Sequence, residues 1–93
     1  MLEKTLEGLL VKAVKKRGGL ALKFISPGFA GMPDRLILLE GGRYGFVEVK
    51  APGKIPRPLQ LARHEKLRGL GIGVYVLDSE KQIEEILDAI QSS

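Results

Sequence analysis

Three polar side chains stand out in the middle of the chain: Asp34 in "GMPDRLILL", and Glu48 and Lys50 in "GFVEVKAPGK". Two carboxylates and an amine can grip a divalent cation and steady charge on a phosphate, provided that the fold gathers them. Two unit negative charges ~4 Å apart repel by about 4 kcal/mol at an effective dielectric of 20. Lys50 offsets only part of this, and a third acid, Glu7, would leave a net negative cluster that a cation complements. All-oxygen ligation selects Mg²⁺ or Mn²⁺. The chain has no cysteine and one histidine, so thiolate and structural zinc centres are excluded. The competing explanation is ordinary: V-E-V-K is also how a half-buried strand with solvated charges is written.

The elements that must position these residues follow from periodicity. "LEKTLEGLLVKAVKKRGG" spaces Leu2, Leu6, Leu9, Leu10, Ala13 and Val14 as a helix, with Gly18-Gly19 as its stop. Residues 20–25 predict a strand and "SPGFAGMP" a loop. Residues 34–40 and 43–50 predict a hairpin turning at Gly41-Gly42. "APGKIPR" is a loop, Pro58 opens a helix running to about Arg68, and 72–78 is a strand. Ser79 and Gln82 form an S-x-x-Q capping box ahead of a helix with Ile83, Ile86, Leu87 and Ile90 on one face. The order αβββαβα describes an α/β protein, a mixed sheet flanked by helices, with a right-handed parallel crossover from strand 43–50 to strand 72–78.

Register decides whether Asp34 can join Glu48 and Lys50, which share one strand face. A two-residue turn pairs Asp34 with Val49 and points it away from them. A three-residue loop closing Glu40 onto Tyr44 pairs it with Lys50. A shared site therefore demands a bulge, a turn of another length, or a bend at Pro33-Asp34.

Ninety-three residues predict one domain spanning 1–93. The net charge of +4 is uneven: residues 1–68 carry 14 Lys/Arg against 6 Asp/Glu, and residues 69–93 carry Lys81 against 5 acids. The basic part suits a polyanion. Lys12, Lys15, Lys16 and Arg17 can track phosphates or simply form a solvated helix face, and Lys54 and Arg57, beside the proposed site, favour a DNA-contacting loop slightly over a plain connector. His64 lies four residues after Gln60 on the same helical face; it could touch substrate, but reads first as a surface or packing residue. "KAPGKIPRP" lacks the G-x-x-x-x-G-K-[ST] pattern of a phosphate loop, and one histidine leaves no arguable Ser/His/Asp triad. No apolar run approaches a membrane span, so the chain is expected to be soluble and cytoplasmic.

"GMPDRLILL" followed by "FVEVKAPGK", with Asp34–x13–Glu48–x–Lys50, resembles the PD-(D/E)xK nuclease superfamily, and more closely its stand-alone VRR-nuclease (VRR-NUC) domains of phage and bacterial genomes. The resemblance covers nearly the whole chain. It implies a restriction-endonuclease-like fold, with Asp34 and Glu48 as metal-binding carboxylates and the Val49 carbonyl as a further ligand. It also implies Lys50 as the catalytic lysine, Gln60 as the helix glutamine near it, and Glu7 as the first-helix glutamate, with Glu3 a weaker candidate. The implied activity is Mg²⁺- or Mn²⁺-dependent endonucleolytic hydrolysis of DNA, at branched forms such as four-way junctions, by a homodimer related to Holliday-junction resolvases, in a bacterial or phage-infected cell. Lys12, Lys16, Lys54 and Arg57 are the expected nucleic-acid contacts. A non-catalytic nucleic-acid-binding module using the same basic face is the alternative.

Overall fold

The spaced leucines of the first segment form α1, Glu3–Lys16, which buries Leu6, Leu10 and Val14 along one side. In the computed structural model, which describes all residues from Met1 to Ser93, four strands and two more helices follow. They are β1 (Leu20–Lys23), β2 (Arg35–Leu39), β3 (Arg43–Val49), α2 (Pro58–Gly69), β4 (Val74–Leu77) and α3 (Gln82–Ser92). The sheet order is β1-β2-β3-β4, antiparallel at the first two pairings and parallel at the third. The αβββαβα order and mixed α/β sheet are as expected.

Alternation along the strands divides the sheet into two unlike faces. On one, Ile37, Leu39, Val47, Val49 and Leu77 meet Leu6, Leu10 and Val14 of α1 and Ile83, Ile86, Leu87 and Ile90 of α3, forming a 12-residue core. Gly45 lies on this face beneath α3, where a Cβ would come within 3.1 Å of Ile90 Cγ1, so the close approach requires its missing side chain. Arg17 ties α1 to α3 through Glu84 (2.8 Å) and Asp88 (2.7 Å), so part of the acidic C-terminal charge is spent locally. The opposite face carries Leu36, Phe46, Glu48 and Val74 and has only α2 over it, whose buried residues are Gln60 and His64. Its β1 side stays open: Leu20, Leu22 and Tyr44 are 57%, 43% and 49% exposed.

Several boundaries are tighter than periodicity predicts. The strands expected at 20–25, 34–40 and 72–78 shrink to 20–23, 35–39 and 74–77. One further bond, Phe24 N–H to the Asp34 carbonyl at 2.8 Å, carries the β1–β2 pairing beyond its ladder. The capping box is half realised: Gln82 Oε1 accepts from the N–H groups of Asp78 and Ser79, but the Ser79 hydroxyl caps nothing. Backbone turn bonds from Gln82 N–H to the Ser79 carbonyl and from Ile83 N–H to the Glu80 carbonyl already satisfy those donors.

Candidate active site

The hairpin between β2 and β3 sets the site. Glu40–Gly42 form one 3₁₀ turn closing Leu39 onto Arg43, with Gly41 at φ +79° and Gly42 at φ +74°, angles that favour glycine. The ladder then runs Arg35↔Val47 and Leu36↔Phe46. One step further lies Asp34 opposite Glu48. The expected turn of other than two residues is present, but its closure differs by one position from the three-residue loop considered above. The partner of Asp34 is therefore Glu48 and not Lys50, and the two carboxylates share a face.

Asp34 is fixed by the backbone. The next position across the ladder sets Pro33 opposite Val49, and proline has no N–H to give the Val49 carbonyl. The Val49 N–H donates to the Asp34 Oδ2 at 2.9 Å. Glu48 is fully buried. Its Oε2 accepts from Gln60 Nε2 at 3.1 Å and its Oε1 lies 3.2 Å from His64 Nε2. Gln60 is held in turn, since its Oε1 accepts the Arg57 N–H at 2.8 Å and closes the first turn of α2 behind Pro58. Lys50 follows on the Glu48 face, half-buried, its own N–H bonded to the Leu77 carbonyl at 2.9 Å.

Burial first, then the hydrogen bond and negative charge of Asp34, push the Glu48 carboxyl up to about 8, against the opposing pull of Lys50. Near neutral pH the cation-free pair therefore retains a proton. Burial, with Arg68 adding to it, lowers the His64 pKa below the usual histidine value. The donor set suits a hard divalent cation: two carboxylates on one face and a proton that a cation would displace. Asp34 and Glu48 are the acids available; no cluster of three or more acidic, histidine or cysteine side chains forms a ready-made cage. Backbone carbonyls such as that of Val49, with water or phosphate oxygens, would complete the shell.

The remaining expected site residues divide. Glu7 is not gathered with the pair: its Oε2 accepts from Arg35 Nε at 2.8 Å, and Arg35 also donates to the Ala21 carbonyl. Arg35 sits on the core face of β2, so Glu7 fastens α1 to the sheet. Glu3, one turn earlier, is the α1 acid whose charge adds to the rise at Glu48. Lys12 and Lys16 are exposed, but α1 covers the other face and they lie roughly 14 and 20 Å along its axis from Glu3. They are not brought to the pair either. Lys54 and Arg57 are exposed in the segment joining β3 to α2, directly after Lys50.

His64 is completely buried, which fits the packing alternative and not the surface one, and its ring also touches Glu48, a contact the sequence did not show. Its place four residues after Gln60 puts both on one side of α2, as expected. The loop before Asp34 is latched to the same helix: Arg63 donates to the Ala30 carbonyl at 2.8 Å and stacks 3.8 Å from the Phe29 ring. No deep pocket encloses the carboxylates. A concavity of about 490 Å³ lies at the other end of β3, lined by residues including Arg43, Tyr44, Arg68 and Ile72.

A mixed sheet bearing an Asp/Glu/Lys group at its β2–β3 end defines the class, and comparison with known proteins narrows it. A solved "VRR_NUC domain" superposes with a TM-score of 0.87 at 34% identity, over 92% of this chain and 94% of that one. The "Putative nuclease p44" of Acyrthosiphon pisum secondary endosymbiont phage 1 is 50% identical over 88 residues, spanning 95% of this chain and 94% of the relative. No protein-family model matches the sequence. The chain belongs to the VRR-NUC family.

Proposed function

We propose that this protein is a nuclease, and more specifically a Mg²⁺- or Mn²⁺-dependent DNA endonuclease that acts on branched DNA. The observation that carries the reading is the register: Asp34 lies opposite Glu48, with Lys50 two residues further on the same face. The names of the relatives support the nuclease class. Asp34 and Lys50 are partly exposed and no enclosing pocket surrounds them, which suits a polymer better than a small molecule.

Asp34, Glu48 and the Val49 carbonyl would hold the ion, which when bound supplies positive charge beside the scissile phosphate and acidifies water. The chain's own groups do the rest. The Lys50 ammonium donates hydrogen bonds to the attacking water and to a phosphate oxygen, and its charge offsets the negative charge that grows as the P–O ester bond breaks. Gln60 anchors one Glu48 oxygen, while Lys54 and Arg57 contact backbone phosphates on the flank of the site.

Two symmetric cuts at a branch call for two sites, so the active form is a homodimer. The open apolar stretch of Leu20, Leu22 and Tyr44 supports a second copy as its cover, because phosphates gain nothing from these side chains. No helix of the chain is long and apolar enough to cross a membrane. We place the activity in the cytoplasm of a bacterial or phage-infected cell.

The test incubates four-way junction, flap and duplex DNA with Mg²⁺ or Mn²⁺, with and without EDTA, for wild type and Lys50→Ala. Expected are cleavage that EDTA stops, a preference for branched forms, and a Lys50→Ala protein that binds DNA but does not cut it. Salt-sensitive binding indifferent to chelator, with no cleavage, would establish a binding module instead.

A further inference from the structure

We propose that His64 is a positioning residue: its Nε2–H locks the Glu48 carboxylate in the orientation that leaves an outward lone pair on each oxygen for a divalent cation. Its catalytic consequence rests on the nuclease reading above; the positioning itself does not.

The geometry begins with the two donors on α2. Gln60 and His64 are spaced i, i+4, so they stand one above the other on the side facing β3. One reaches Oε2 at 3.1 Å and the other Oε1 at 3.2 Å. A carboxylate held at one oxygen still turns about its last carbon–carbon bond; held at both, it does not. The orientation of the Gln60 amide is forced, since its oxygen accepts the Arg57 N–H and its NH₂ must face Glu48.

For His64 the tautomer follows from what is missing. Nδ1 is buried and has no hydrogen-bond partner. Protonated there, the ring would bury a donor without an acceptor and turn a bare Nε2 lone pair toward a carboxylate oxygen. Protonated at Nε2, it leaves only a lone pair unmet and donates to Oε1. Orphaned buried donors are the rarer and costlier case, so the second tautomer is selected. Each Glu48 oxygen then receives one N–H and keeps a second lone pair, for the proton shared with Asp34 or for the cation that displaces it. Ligand carboxylates held by such outer hydrogen bonds lose about 10–100-fold in metal affinity or activity when the partner is removed.

Two measurements on the full-length chain test this. Long-range ¹H–¹⁵N spectra of the metal-free protein should show His64 protonated at Nε2 with Nδ1 bare; an Nδ1–H tautomer overturns the proposal. Calorimetric titration with Mn²⁺ then compares His64→Leu, similar in bulk but without a donor, with His64→Gln, whose amide can donate from a similar reach. Expected is Mn²⁺ affinity lowered roughly 10–100-fold in His64→Leu and largely rescued in His64→Gln. In cleavage assays kcat should fall in parallel while KM for DNA stays near wild type. A folded His64→Leu protein that binds Mn²⁺ like wild type overturns the proposal. If that variant does not fold, the tautomer and the His64→Gln titration decide. Wild type that binds Mn²⁺ through this arrangement but cuts no DNA would end the nuclease reading and leave the positioning role standing.

Discussion

Replacing Glu48 with glutamine removes the one buried carboxyl whose folded pKa lies far above its ordinary value. In wild type, burial and the neighbouring Asp34 raise that carboxyl from 4.5 to about 8. Between those two values the native state holds a proton that the unfolded chain has released. The contribution of Glu48 is therefore fully present below about 4.5 and is lost as pH rises towards 8. At about 1.4 kcal/mol per pH unit the ceiling is roughly 5 kcal/mol, and sharing of the proton with Asp34 brings the expected loss to ~2–4 kcal/mol. A total stability of about 5–15 kcal/mol makes this easy to see. Glutamine fits the same space, accepting from Gln60 with its oxygen and offering its NH₂ towards Asp34. The assay is urea unfolding followed by far-ultraviolet circular dichroism, in EDTA, from pH 5 to pH 9, for both proteins. Titrating groups remote from the pair act equally on both, so the difference isolates the Asp34–Glu48 pair: Glu48→Gln should gain ~2–4 kcal/mol on wild type across the range. Adding Mn²⁺ should restore wild type at high pH by binding only the folded state, and should do far less for the variant. Parallel pH profiles, within about 0.5 kcal/mol, would refute the assignment of Glu48 as a strained, proton-retaining carboxyl.

Three further outcomes follow from the same geometry. Gly31→Ala puts a Cβ 2.8 Å from Leu59 Cγ at a residue with φ +88°. It should cost about 1–3 kcal/mol in thermal unfolding, and should cut cleavage further by lifting the loop that leads to Asp34 off α2. Glu7→Gln breaks the half-buried pair with Arg35 and should lower stability by about 1 kcal/mol, with cleavage per folded molecule reduced far less than in Glu48→Gln. Leu22→Glu, on the open side of the sheet, should halve the mass seen by light scattering while leaving the monomer folded; an unchanged dimer would assign the interface elsewhere.

Much of this protein was legible without coordinates because it is written in local periods. The 3.6-residue rhythm of α1 and α3, the alternation around "VEVK" and the glycine and proline punctuation give all seven principal elements in order. Asp34, Glu48 and Lys50 stood out by chemical type and context alone. Boundaries came out longer than observed, because a run of apolar residues does not say where the hydrogen-bonded ladder stops. The pairing of Glu7 with Arg35 was illegible for a different reason. Position on a helix is local, but whether an acid meets Arg35 or a metal depends on which sheet face that helix covers.

The sequence by itself determined the inventory: one mixed α/β sheet, two candidate carboxylates, a lysine and a basic flank. Tertiary structure decided how those parts meet. A hairpin closing at Leu39–Arg43, one step of register from the two-residue turn considered and two from the three-residue loop, turns Asp34 onto Glu48. The crossing of α2 over that face buries His64 against the same carboxylate. Both outcomes depend on pairing between segments distant along the chain. Side-chain direction reverses with each residue of strand register, so a shift too small to alter the pattern of a sequence is large enough to make or unmake its active site.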